Sequence, residues 1–220
     1  EECVGDGVVP RCPRPPAPRD VSSHFLHAHN VYRCMHRSSP LEWDARLAAS
    51  ARRWALQGVL EHSPEVLEGT APHGENVAQG PGDGGAVTTP HSRAQRGNGA
   101  IGNGSGGSAG RQTRAGKGQK RARGGESQRP GLRPGAVVAA WYKEVEQWTP
   151  GEISEGTGHF TQLVWKGSRR VGCAVVETVA VCHYEPAGNR LDVVGLHVEG
   201  AAEWTAGECG GPVTKGPLGG

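Results

Sequence analysis

Residues 156–176, GTGHFTQLVWKGSRRVGCAVV, set a histidine beside a glycine and follow it with two strand-like runs and a cysteine. Residues 160–165 alternate as a strand does, KGSRR turns the chain, and residues 171–176 and 179–184 make two more strands. A turn centred on Glu177 and Thr178 pairs the last two antiparallel and places Cys173 opposite Cys182, at disulfide reach. Glu-Thr is poor chemistry for a two-residue turn. His159, at the mouth of this unit, has three readings: a metal ligand, a general base, or a hydrogen-bonded structural residue.

Helical patterns precede the strands. After Asp20, the residues Phe25, Ala28, Tyr32 and Met35 share one face, and the pattern stops near Ser38-Ser39-Pro40. In LEWDARLAASARRWALQG, Asp44 can cap a helix whose face is Leu47, Ala48, Ala51, Trp54 and Ala55, with Gly58 as its stop. Trp43 precedes the cap, where it can staple onto Ala48. EHSPEVLEG repeats a helix start, with Ser63 as cap, Pro64 at the first position, Glu65 in the first turn and His62 just outside. APHGENVAQG reads as a loop entering a short apolar stretch. In AVVAAWYKEVEQW, Val137, Trp141, Val145 and Trp148 form a helical stripe with Glu144 beside it. Helices before the sheet and between its parts predict an α+β fold in which helices cover an antiparallel sheet.

The 220 residues suffice for one domain with a sizeable core, yet apolar residues make up only 35% and Gly 36 with Pro 16 approach low-complexity levels. The excess is local. Residues 1–19 are a proline-rich tail, and residues 80–135 hold seventeen glycines, ten Lys or Arg and no aromatic residue. Such a segment cannot bury enough apolar surface to offset its ordering entropy, so a disordered insert is expected there. Two origins fit it: a genuine flexible insert, or non-coding sequence carried into the reading frame.

The formal charge of +2 averages +8 in residues 80–135 against −6 elsewhere. A mildly acidic folded part argues against specific nucleic-acid binding, and unstructured basic sequence such as KGQKRARGG attracts acidic partners only unspecifically. The six cysteines fit neither a zinc C-x-x-C pattern nor a redox motif, and their even number permits disulfides and an oxidising compartment. No apolar run approaches bilayer length. The chain opens on Glu1, as a mature or partial chain whose targeting signal is not shown would.

No H-E-x-x-H, G-x-S-x-G or Walker loop is present. Several blocks do, however, resemble those of the CAP superfamily, which comprises cysteine-rich secretory proteins, venom antigen 5 proteins and plant pathogenesis-related class 1 proteins. GTGHFTQLVWKGSRRVGCAVV and VCHYEPAGN are similar to its two signature stretches. HNVYR, LEWDARLAASARRWA, EHSP, GENVA and WYKEVEQW are similar to its remaining blocks, in the same order.

The resemblance covers residues 20–79 and 136–195. It implies a three-layer α-β-α sandwich formed by residues 20–79 and 136–200 as one CAP (SCP) domain, interrupted by the 80–135 insert and followed by a 201–220 tail. It also implies a cleft carrying two histidines and two acids: His62 from EHSP, Glu75 from GEN, Glu144 from WYKE and His159 from GHF. Two imidazoles and two carboxylates can hold a divalent ion such as Zn2+. A Cys173–Cys182 disulfide is implied by the family as well as by the register. His24, His27, His29, His36, His73, His91, His183 and His197 match no cleft position, and His29 beside Asn30 belongs to the family's first helix as a structural residue.

The resemblance implies a secreted, non-enzymatic protein that binds sterol or other lipid, touches membranes peripherally or engages a protein partner in defence or signalling. The alternative is a metal-dependent hydrolase or protease using Glu75 or Glu144 as base. Two departures bear on this. TPGEISEGTG lacks the aromatic residues common in the family's lipid-associated loop, and no cysteine-rich module follows, so channel blockade is not implied.

Overall fold

In a computed structural model of the chain, residues 20–80, 86–90, 132–199 and 204–211 are described. The first helix, α1 (Val21–Met35), begins where Asp20 accepts the Ser23 N–H and Ser23 reciprocates with the Asp20 N–H, a capping box. A two-residue strand, β1 (Glu42–Trp43), leads into α2 (Ala45–Ala55), whose first N–H groups bond the Asp44 side chain as expected. Gly58 then takes φ +70°, a conformation that favours glycine after a helix.

The short α3 (Pro64–Leu67) starts at Pro64, but the Ser63 side chain makes no capping bond. GENVAQ, expected as loop and apolar stretch, is the strand β2 (Gly74–Gln79). Next come α4 (Pro134–Tyr142) and a 3₁₀ turn at Lys143–Gln147, then α5 (Gly158–Leu163), β3 (Arg170–Val176), β4 (Val179–Glu185) and α6 (Val194–His197).

The strand expected at residues 160–165 is instead α5. Its two ends are closed by side chains from distant elements. The Glu144 carboxylate accepts the N–H groups of His159 and Phe160 at the start. At the finish, the buried Arg33 guanidinium donates to Leu163 O and Trp165 O, and the Ser38 hydroxyl donates to Val164 O. These partners satisfy terminal groups that a six-residue helix leaves free, and no local sequence pattern announces them.

The sheet order is β1-β3-β4-β2. Its β3–β4 hairpin has the expected register, Cys173 opposite Cys182, with Glu177 at φ +52° in the turn. Both β3–β4 and β4–β2 are antiparallel, whereas β1 adds a short parallel edge to β3. The sheet is therefore mixed rather than purely antiparallel.

Each face of the sheet carries its own apolar layer. On one side Ala51 and Ala55 of α2 meet Val77, Val179 and Val181. On the other, Phe25, Val137, Val138, Trp141 and Phe160 meet Ala78, Ala180, Cys182 and Tyr184. Helices on both faces make the α-β-α sandwich. Gly172 permits the close approach of α2, since a Cβ there would lie 2.1 Å from Ala48 N.

The segment 80–135 joins this fold at both ends. Thr88 pairs with Gln79, Val87 packs on the core, Leu132 is buried and Pro134 opens α4. The rest of it, residues 81–85 and 91–131, lies outside the described residues, as does the proline-rich stretch 1–19. At the other terminus, a Cys34–Cys209 disulfide ties residues 204–211 to the end of α1. Among the described residues no helix is long and apolar enough to cross a membrane.

Candidate functional site

Two carboxylate–histidine pairs meet around the edge strand β2. Glu75 on β2 accepts from His62 Nδ1 at 3.0 Å and from the Ser63 N–H at 2.8 Å through Oε1, and from His183 Nε2 at 2.9 Å through Oε2. Burial would raise its pKa. The hydrogen bonds from His183, His62 and the Ser63 N–H outweigh that and bring it down to about 2. Glu75 is therefore an ionised carboxylate with both oxygens engaged.

Glu144 does the same for α5. Its Oε1 accepts from His159 Nδ1 at 2.6 Å, and its Oε2 accepts the N–H groups of His159 and Phe160 at 2.8 and 3.0 Å. The imidazoles of His62 and His159 lie face to face, 5.9 Å between centroids and 23° between planes. Behind His159 lies the Trp141 ring, nearly parallel at 6.3 Å. Trp141 is fixed by its own indole N–H, which donates to Val77 O on β2.

Since a carboxylate only accepts, both imidazoles carry a proton on Nδ1 when neutral, and each Nε2 presents a lone pair. His159 is fully buried, and its Nε2 has no hydrogen-bond partner. The structure thus brings His62, Glu75, Glu144 and His159 together. Every carboxylate oxygen of the four-residue set faces an N–H, whereas His159 Nε2 faces no hydrogen-bond partner.

The supporting bonds explain why the signature stretches look as they do. Asn76 donates to His159 O and to the Tyr184 hydroxyl. Asn189 donates to Gly158 O and accepts from the Thr161 hydroxyl. Gln162 bonds Ser168 and the Gly188 N–H. It also fixes the glycine of GENVA, for a Cβ at Gly74 would fall 1.9 Å from Gln162 Oε1.

His183 was not among the sequence-based site residues, yet it is buried and bonded to Glu75. The signal for it lies in strand pairing, since Glu75 and His183 are direct partners across β2 and β4. His73 stacks on it at 3.9 Å between centroids. Burial, with His183 adjacent, lowers the His73 pKa to about 4, so that ring is neutral. His29 is structural as expected. Its Nδ1–H donates to Phe25 O, and its Nε2 accepts from the Tyr184 hydroxyl. His29, Cys173 and Cys182 place ligand-type atoms within 4.8 Å of one another, but the two sulfurs are bonded to each other and are not thiolates. His91 lies outside the described residues.

The sequence profile of the cysteine-rich secretory protein family, designated CAP, matches residues 26–184. The chain belongs to this family. Among CAP relatives, it is 28% identical over 192 residues to the Candida albicans protein named "Repressed by EFG1 protein 1", covering 84% of this chain but 51% of that protein. It is 26% identical over 178 residues to Pathogenesis-related protein 1 of Arabidopsis thaliana, covering 78% of this chain and 80% of that one. The chain thus spans about half of the first relative and most of the second. Of solved structures, venom allergen-like protein 4 of Schistosoma mansoni aligns with a TM-score of 0.48 at 12% identity, covering 79% of this chain and 92% of that one.

Proposed function

We propose that this chain is a secreted, non-enzymatic CAP-domain protein that binds a lipid, sterol or protein ligand and holds a divalent cation such as Zn2+ on His62 and His159. The observation that carries the metal reading is the buried, unpartnered Nε2 of His159, on a ring whose Nδ1 is held by Glu144. Metal-binding histidines generally donate their other N–H to a carboxylate or carbonyl, which sets the tautomer and raises ligand basicity. His62 with Glu75 repeats that arrangement. In this reading Glu75 and Glu144 orient the ligands and water completes the coordination. Zinc titration calorimetry on the parent and on His62→Ala and His159→Ala tests it: affinity falls in both variants while the fold survives, and equal affinity in all three rejects it.

The hydrolase alternative is less well supported. A general base must be aimed at the proton it abstracts, and each carboxylate already accepts three protein N–H groups, which leaves it one of about four lone-pair sites. Secretion is supported by the Cys34–Cys209 and Cys173–Cys182 disulfides, since disulfides persist in oxidising compartments. The organic ligand is a family-level reading, tested by binding of a labelled sterol and a fatty acid to the whole chain.

A further inference from the structure

Between the last turn of α1 and the end of α4, the rings of Tyr32 and Tyr142 lie face to face, 4.0 Å between centroids and 18° between planes. At that spacing ring carbons of the two residues are in van der Waals contact, about 3.5–4 Å apart. Both side chains are half-buried and partly open to solvent.

A buried histidine serves the hydroxyl of Tyr142. His36 Nε2 lies 3.0 Å from that oxygen, and His36 Nδ1 lies 3.2 Å from Glu199 O. A carbonyl only accepts, so Nδ1 carries the proton of the neutral ring and Nε2 accepts the phenolic O–H. His36 is 1% exposed, and the rings of Tyr142 and Phe160 meet it edge to face, which holds that aim. A phenol loses an electron readily when its proton can leave at the same time, and Nε2 is a base placed to take that proton. The third tyrosine of the chain supplies a contrast. Tyr184 also donates to a histidine, His29, but it is fully buried and its ring meets an imidazole instead of a second phenol.

We propose that Tyr32 and Tyr142 form a modification site, joined into an intramolecular dityrosine by a one-electron oxidant such as a peroxidase intermediate or a peroxide-derived radical. One oxidant equivalent takes an electron from Tyr142, whose phenolic proton passes to His36 Nε2. A second takes an electron and a proton from Tyr32. The unpaired spin of a phenoxyl sits on its oxygen and on the ring carbons ortho and para to it, and the para carbon is occupied by Cβ. An ortho carbon of each ring, a Cε, therefore bonds to the other through p orbitals that point across the stack. Each ortho hydrogen then leaves as a proton while each oxygen regains one, so the chain loses two electrons and two protons and gains one C–C bond. Holding the rings in contact makes this coupling effectively unimolecular. The product ties α1 to α4. It shares no residue with the paired-histidine site and stands without the metal reading.

Treatment of the dilute full chain with two equivalents of hexachloroiridate(IV), followed by disulfide reduction, proteolysis and mass spectrometry, tests the proposal. The expected product is a monomer with dityrosine fluorescence, in which the peptides carrying Tyr32 and Tyr142 are joined and together lack two hydrogens. Tyr32→Phe and Tyr142→Phe, which keep the rings, are expected to abolish it. His36→Gln, which keeps an acceptor but not a base, is expected to slow it about tenfold or more. In urea, where the stack is gone, the parent is expected to lose its preference for this pair. Absence of a Tyr32–Tyr142 link in the oxidised, folded parent overturns the proposal, as does an equal yield of that link in urea. A folded His36→Gln that couples at the parent's rate overturns the role of His36.

Discussion

Glu144 holds His159 at two points, accepting the backbone N–H with one oxygen and the imidazole Nδ1–H with the other. One carboxylate thus both starts helix α5 and sets the tautomer of the histidine within it. Glu144→Gln keeps the shape but leaves one oxygen where three N–H groups need acceptors, and turns an amide N–H toward one of them. Loss of charged, buried hydrogen bonds is expected to lower stability by about 2 kcal/mol. Zinc affinity is expected to fall about tenfold or more as the ring loses its carboxylate partner. Urea unfolding and calorimetry check the two effects, and a variant that matches the parent in both contradicts this role.

Arg33 closes the other end of the same helix. Its fully buried guanidinium donates to Ser39 O, Leu163 O, Trp165 O and Ser168 O. Burial lowers its pKa only to about 10, so it stays charged. Arg33→Met removes the donor from Ser39 O, Leu163 O and Ser168 O, while Trp165 O keeps the Ser168 N–H, and is expected to cost about 3 kcal/mol or more in urea unfolding. Arg33→Lys is expected to recover little, because an ammonium cannot reproduce the planar fork.

How much of this was legible beforehand follows from where the signals reside. The start of α1 after Asp20, the Asp44 cap of α2 and the Cys173–Cys182 register are local or set by one turn, and residues near in sequence carry them. The four cleft residues were found through block resemblance, since nearly a hundred positions separate His62 from His159 and spacing says nothing of their proximity. Helix α5 was not legible, because residues 160–165 alternate as a strand does and its closing groups come from Arg33, Ser38 and Glu144. His183 was missed with β2: without that strand, the pairing of Glu75 with His183 could not be written.

His29 predicts a pH dependence. Burial lowers its pKa from 6.5 to about 4, and its two ring nitrogens suit only the neutral form. The unfolded chain takes up this proton below about 6.5 while the folded chain resists it down to about 4. Stability from this group is therefore complete above about 6.5 and is lost as pH falls toward about 4, a decline on the order of 3 kcal/mol. Urea melts of the parent and His29→Asn across that window should differ in slope, with the variant flatter. Parallel curves would contradict a neutral buried His29.

The two disulfides among the described residues close loops of very different length, with sequence separations of 175 for Cys34–Cys209 and 9 for Cys173–Cys182. Chain-entropy reasoning gives the longer loop the larger effect, by roughly 2.6 kcal/mol. Paired alanine substitutions at each bridge, compared by denaturant unfolding, check the order. Peptide mapping without reduction checks the pairing itself.

The central claim is that His62 and His159 present Nε2 as metal ligands while Glu75 and Glu144 hold their Nδ1 protons. Long-range proton–nitrogen correlation spectra of the histidine-labelled protein, recorded with and without zinc, read it most directly. The account predicts that both rings carry the proton on Nδ1 before zinc is added, and that zinc shifts the two Nε2 resonances while Nδ1 stays protonated. Protons on Nε2, or Nε2 resonances that zinc leaves unmoved, would contradict it.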